Sequence, residues 1–337
     1  MKRLKLHLNN DRLKLPIEDL KDLSMLLEIG MDLKSALMII DNDKIHNIIE
    51  KIIDKLKKGL VIEEIYGDFI NSNKLRYLGS FLNYLPFEKS LAITIKMYER
   101  RQEFIKRIVK KTAYPIAMML ITIMGVYLFN VYAFNLIETL ASSFKLDISN
   151  YQLIRLLINL GINTLLIILL LVMIGVWFLS KSKHIVYYYH YISNLFPNTL
   201  LNVYITDVFI NYYLQCYKAG LNTEETLMTI KSFDDSPIIK NLAYVIDKNY
   251  LKGMAFDKVM DIKIIDQRLK RFINIAYQTN TTEKMLAKYL DFNNQLLNKK
   301  IKQFSNRMQI CSYTVILLGV FYIYRLLLLP MNMINNF

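Results

Sequence analysis

Four histidines and two cysteines are the side chains of this 337-residue chain best fitted to ligate a metal or to act as nucleophiles. They are scattered. His7, His46, His184 and His190 form no HExxH pair and have no cysteine neighbours, so solvated or interface roles are expected in place of metal ligation. Cys216 and Cys311 are too few and too far apart for a disulfide framework or a metal cluster, and both read as buried small hydrophobes. No glycine is followed five positions later by another, which removes the GxxxxGK phosphate loop, and neither GxSxG nor CxxC occurs. The expectation is a protein that is no enzyme and needs no cofactor or metal.

What remains is charge. Lys and Arg number 43 against 29 Asp and Glu, a net +14 that suits either nucleic acid or an anionic membrane surface. The distribution favours the membrane. Residues of the AVILMFWYC set make up 53% and the mean hydropathy is +0.23, too apolar for an ordinary soluble protein. With only 10 Gly and 6 Pro, the chain should be built of regular helices.

From Thr112 to Ile137 the run TAYPIAMMLITIMGVYLFNVYAFNLI carries no charge; as a helix it would extend about 39 Å, enough to cross a hydrocarbon core of roughly 30 Å. Pro115 is expected in its first turn, where a missing N–H costs nothing. A second uncharged run spans Leu156 to Ser180 and includes Trp177, a ring suited to the headgroup boundary. A third, from Met308 through LLLLPM, carries one cation, Arg325, near its far end. Within these runs Asn130, Asn135, Asn159 and Asn163 are expected to tie helices together, with Gly125, Gly161, Gly175 and Gly319 allowing close approach.

Basic residues cluster on one side of all three runs. Lys96, Arg100, Arg101, Lys106, Arg107, Lys110 and Lys111 precede the first, Lys181 and Lys183 follow the second, and Lys299, Lys300, Lys302 and Arg307 precede the third. These flanks should face the cytoplasm. The connector holding Glu138, Lys145, Asp147 and Arg155 sums to zero, and no charge follows Arg325. The expected order is a cytoplasmic bundle at 1–111, crossings at 112–137, 156–180 and 308–330, an outer connector at 138–155, a second cytoplasmic bundle at 181–307 and an outer tail at 331–337. In the cell membrane the N-terminus should then be cytoplasmic and the C-terminus extracytoplasmic. MKRLKLHLNNDRLK has no apolar core of signal-sequence length, so insertion should rely on the first internal span. His184 and His190 sit in KSKHIVYYYHYI beside the second run, where aromatic residues often occupy the headgroup level.

The two bundles repeat each other. Leu20, Leu23, Leu26 and Leu27 form a helical stripe that stops at Gly30, and Asp32 then caps a helix carrying Leu33, Ala36, Leu37 and Ile40. In the second half a helix through Phe209, Tyr213 and Cys216 stops at Gly220, and Asn222 with Glu225 forms a capping box. KKGLVIEEIY at Lys57 matches LKGMAFDKVM at Leu251, and PFEKSL at Pro86 approximates TTEKML at Thr281. Ordered matches at nearly constant offset argue for duplication.

On these residues the chain resembles the F-domain family of inner-membrane platform proteins of type II secretion and type IV pilus machines. The resemblance is carried by LSMLLEIGMDLKSAL from Leu23, LQCYKAGLNTEETL from Leu214, Gly59 and Gly253 at the next turn, the Tyr114–Pro115 pair, and LLLLPM from Leu326, which contains Pro330. It covers nearly the whole chain, and its short length and near-terminal LLLLPMNMI make it most similar to the competence version found in Gram-positive bacteria. The resemblance implies an all-α membrane protein with two homologous cytoplasmic helical bundles, or F domains, and three transmembrane helices. It also implies a partnership with a cytoplasmic assembly ATPase and pilin-like subunits, homo-oligomerisation, and a role in building a DNA-uptake pseudopilus. Gly30, Gly59, Tyr114, Pro115, Gly220, Gly253 and Pro330 would be structural marks of the family. The chain departs from it at NYLPFEKSL and YQTNTTEKML, so no acidic cation site is carried over.

Lys106, Arg107, Lys110 and Lys111 abut the first span, where lipid attraction of about 1 kcal/mol per charge already accounts for them; contact with the ATPase would be an addition, and direct nucleic-acid binding is not expected. Arg325 reads as a snorkelling anchor or as a contact for a pilin carboxylate. The alternative reading, a membrane subunit of a solute transporter, calls for ionisable groups near the midplane or broken spans. The first two runs have neither.

Overall fold

A computed structural model describes residues 14–334 other than 72–73, 144–152, most of 154–173, 175–184, 196–198, 234–235, 255, 261, 263–264 and 280. Among the described residues every regular element is a helix. In the first half these are α1 (Ile17–Glu28), α2 (Leu33–Ile40), α3 (His46–Lys57), α4 (Ile62–Phe69), α5 (Leu78–Leu82) and the long α6 (Phe87–Ser143). After the second apolar run come α7 (Ile185–Leu195), α8 (Leu200–Lys218), α9 (Thr223–Lys231), α10 (Pro237–Tyr250), α11 (Phe256–Val259), α12 (Gln267–Thr279) and the long α13 (Thr282–Ile334). From α8 onward the second half repeats the order of α1 to α6: a helix, a short helix, a longer one, two more, and a rod that continues into an apolar run.

The glycines expected to stop helices do so by one device, used four times. Gly30, Gly59, Gly220 and Gly253 have φ of 89°, 82°, 98° and 76°, a region that residues with a Cβ rarely enter. After α1 the Gly30 N–H donates to the Leu27 carbonyl at 3.0 Å and Met31 N–H to Leu26 at 3.2 Å; after α8 Gly220 donates to Tyr217 at 3.0 Å and Leu221 to Cys216 at 3.1 Å. Gly59 and Gly253 repeat the pair with Leu56 and Tyr250. These are Schellman terminations, which satisfy carbonyls the helix end would leave unpaired. The helices that follow start as read: the Asp32 carboxylate accepts from Ser35 N–H at 3.0 Å, and Asn222 and Glu225 complete a capping box.

The chain packs as two compact units, one of residues 1–104 with 186–296 and one of residues 105–185 with 297–337. Within the first unit there are two cores. Leu20, Leu23 and Leu27 of α1, Ala36 and Leu37 of α2, and Ile48, Ile49 and Ile52 of α3 surround Phe87, Leu91 and Ile95 on one face of α6. The second core is built on Phe209, Leu227, Ile246, Leu269 and Tyr289, but it also takes in Phe81 and Leu85 and, from another face of α6, Ile93 and Met97. The first stretch of α6 is therefore buried on two sides, with apolar contact to both bundles.

Cys216 is buried in the second core, and burial pushes its thiol up to about 12. Cys311 departs from expectation: it is exposed, on α13. With Cys311→Ser as background, the folded protein in detergent should leave Cys216 unmodified by maleimide at pH 8 and release one reactive thiol on unfolding; this is read by mass spectrometry.

Candidate functional site

Two arrangements distinguish this chain, a joint between its bundles in the first unit and a parallel helix pair in the second. At the joint, Tyr77 lies at the start of α5 and Phe233 just after α9. Their rings are 4.5 Å apart, with Tyr212 at 5.2 Å from Tyr77 and 5.1 Å from Phe233, and Phe81 at 5.6 Å from Phe233. The Tyr77 hydroxyl is hydrogen bonded with Ser236, Ser80 donates to the Ser232 carbonyl at 3.2 Å, and Lys89 reaches the Ala219 carbonyl at 3.3 Å. Further along α6, Arg100 forks onto Asp207 of α8, with Nε 2.9 Å from Oδ2 and Nη2 2.8 Å from Oδ1. The Asp207 carboxylate is buried and also accepts from Asn293 of α13 at 3.1 Å. Phe104 stacks on Tyr204 at 4.0 Å. Arg100, read from sequence only as part of a basic flank, is thus a bidentate inter-bundle contact.

In the second unit α6 and α13 run side by side and parallel. Arg107 donates to Asn298 at 3.2 Å, Ser305 to the Lys111 carbonyl at 2.5 Å, and Tyr322 to Asn130 at 2.7 Å. The paired positions lie 191, 194 and 192 residues apart, almost the offset of the sequence repeat, so equivalent stretches of the two rods face each other. Asn130 also donates to Asn159 of the second apolar run, so one buried amide ties three segments.

Pro115 corrects the sequence reading. It is inside α6, not in a first turn, since the helix runs unbroken from Phe87 to Ser143. A proline there leaves the carbonyl four residues back without its donor. That carbonyl belongs to Lys111, and Ser305 of α13 supplies the missing hydrogen bond. The Pro115 carbonyl itself lies 2.9 Å from the Ser312 hydroxyl. Ser305→Ala should cost about 1 kcal/mol in the native background and nothing when Pro115→Ala has restored the intrahelical donor, a coupling visible in a double-mutant cycle of melting temperatures in detergent.

Among the glycines of the apolar runs the close approach is at Gly319, where an added Cβ would lie 2.9 Å from a Val126 methyl and 3.3 Å from one of Thr122. Among the described residues nothing lies within 4 Å of a Cβ added at Gly125 or Gly161; Gly175 is outside the described residues. Gly319→Leu should destabilise the pair by about 1–3 kcal/mol through overpacking, whereas Gly125→Leu, on an open face, should leave the melting temperature unchanged or slightly raised.

Lys106, Lys110 and Lys111 are exposed on α6 and Arg107 is half-buried; Tyr114 is 57% exposed while Pro115 is buried. The Arg325 guanidinium lies over the Phe321 ring one turn back, 5.5 Å from its centroid. Helix α13 continues through position 330, although the Pro330 side chain is outside those described. His46 is exposed beside Asp41, with Nδ1 2.8 Å from its carboxylate, and His190 is half-buried against Asn241 at 3.2 Å. His7, His184, Trp177, Lys181 and Lys183 lie outside the described residues.

Fold and site together define an all-helical protein with two helices, among the described residues, long and apolar enough to cross a membrane, within Phe87–Tyr132 and Thr282–Arg325. Residues 209–330 match the sequence model of the family described as type II secretion system (T2SS), protein F. The matched segment covers most of α8, all of α9 to α12 and α13 as far as Pro330, so this part of the chain is similar to the F proteins of secretion systems. No curated protein matches the chain.

Proposed function

We propose that the chain is the membrane platform of a pilus-like assembly machine, the base on which a cytoplasmic assembly ATPase acts to lift pilin-like subunits from the bilayer for DNA uptake in competence. The observation that carries the reading is the family match at 209–330, which falls on the second bundle and the apolar rod continuous with it. Recurrence in the first half of the same helix order and of the same two glycine terminations, Gly30 and Gly59 answering to Gly220 and Gly253, supports two F domains. In this reading all three apolar runs cross the membrane, with the N-terminus inside and the C-terminus outside. The protein works without chemistry of its own, without cofactor and without direct nucleic-acid contact, and it forms a homo-oligomer. The two rods, α6 and α13, are the mechanical elements: each belongs to a bundle at one end and to an apolar run at the other, so a push on the bundles moves the helices beside which a pilin must rise. Lys106, Lys110 and Lys111 lie where headgroups or the ATPase would meet α6, and Arg325 is offered to a pilin carboxylate.

The test is co-purification of the tagged full-length chain, in detergent, with the assembly ATPase of the same cell, alongside DNA uptake in a deletion strain. Co-elution and loss of uptake are expected. No association together with intact uptake overturns the proposal.

A further inference from the structure

Helix α7, IVYYYHYISNL, carries no Lys, Arg, Asp or Glu, and its two faces are treated differently by the fold. Its inner face is fixed to the second bundle. The Tyr189 hydroxyl donates to Asn202 at 3.0 Å, Asn202 donates to Ser193 at 2.9 Å, and Val186, Tyr189 and His190 line a small cavity with Asn241 and Leu242 of α10. On the outer face Tyr187, Tyr188 and Tyr191 are 70%, 46% and 61% exposed. An outward face meant for water is normally charged, as on α3, where Glu50, Lys51 and Lys55 alternate with buried isoleucines. Three neighbouring phenols on an uncharged helix suit a medium that is apolar at ring depth and rich in hydrogen-bond acceptors above.

The position of α7 within its unit names that medium. The chain leaves this unit for the apolar runs at three places, and all three converge on residues 202–207 of α8. Phe104, eight residues before the first uncharged run, stacks on Tyr204. Asn293, on the rod that leads to the third, donates to the Val203 carbonyl at 3.2 Å and to Asp207. Helix α7 itself opens five residues after the second run ends at Ser180, and it is bonded to Asn202. Helix α7 therefore packs on the same stretch of α8 that receives the residues through which the chain continues into the apolar runs.

We propose that the Tyr187, Tyr188 and Tyr191 face of α7 is seated in the headgroup layer of the bilayer, so that the second bundle is held against the membrane by an interfacial helix. This rests on the reading of the apolar runs as membrane spans. The test uses the full-length chain with Trp177→Phe, reconstituted in phosphatidylcholine and phosphatidylglycerol vesicles, carrying one tryptophan at a time: Tyr187→Trp, Tyr250→Trp at the end of α10, or Leu318→Trp in α13. Phosphatidylcholine brominated high on the acyl chain should quench Tyr187→Trp and leave Tyr250→Trp at full emission, while deep bromination should quench Leu318→Trp. If Tyr187→Trp behaves like Tyr250→Trp although Leu318→Trp is quenched, the inference fails and the membrane reading stands. If Tyr187→Trp resists brominated lipid but is shielded from acrylamide in proportion to protein density, a second copy covers the face and the inference fails. If Leu318→Trp is not quenched, the membrane reading falls and the inference with it.

Discussion

Phe233→Ala should lower the melting temperature of the detergent-solubilised protein more than any other single truncation at the joint between the bundles. The ring is 1% exposed and is held between Tyr77, Phe81 and Tyr212. Two of these neighbours come from the first bundle's last short helix region and one from α8, so the cavity left by the ring would lie where the two halves meet. Deleting a buried phenylalanine costs about 3–5 kcal/mol, the transfer of the ring plus the unfilled space, and for a unit of this size each kcal/mol shifts the midpoint by about 2–4 °C. Differential scanning fluorimetry should therefore record a fall of about 6–20 °C. Tyr244→Ala, at a site 57% exposed, should change it little. Equal shifts for both variants would mean that the aromatic joint contributes nothing special.

Arg100→Ala is the second large effect. It removes both charged hydrogen bonds from a carboxylate whose side chain is 3% exposed and leaves it, among the described residues, the Asn293 amide. Breaking a buried pair by removing one partner costs about 3–5 kcal/mol; with the Arg100 side chain 32% exposed, water can enter and the lower end, about 3 kcal/mol, is expected. Arg100→Lys should recover part of this, since it keeps the charge but not the fork. The informative variant is the double change Arg100→Met with Asp207→Leu, which removes both charges and should melt above Arg100→Ala alone. A double variant no better than the single would show that the loss comes from packing of the arginine stem.

Much of the helical framework was legible because its signals are local. Glycine at the end of an apolar stripe, followed by Asp32 or Asn222, specifies a left-handed stop and a cap within a few residues, and all four glycines singled out adopt positive φ. The candidate site was read less well. Pro115 is expected in a first turn because the charge pattern changes at Thr112, yet backbone hydrogen bonding does not sense that change and α6 passes straight through. Ser305 carries no signal of its own; it matters because a proline 190 positions earlier leaves a carbonyl without a donor, and only the parallel pairing of the rods brings the two together. Arg100 looked like one more cation of a basic flank, because a partner 107 residues away cannot be seen in a local pattern.

By itself the sequence determined what depends on near neighbours along the chain: where helices begin and stop, that some stretches are uncharged long enough to meet lipid, and that one succession of helices is written twice. The tertiary structure decided which faces of those helices are shared. The turns of α6 from Phe87 to Met97 are apolar on more than one side, and periodicity can assign such a stretch to a core but not to two. It is the packing of Phe87, Leu91 and Ile95 into one bundle and of Ile93 and Met97 into the other that makes a single helix the common wall of both. A buried surface is specified by what covers it, and the covering residues come from distant parts of the chain.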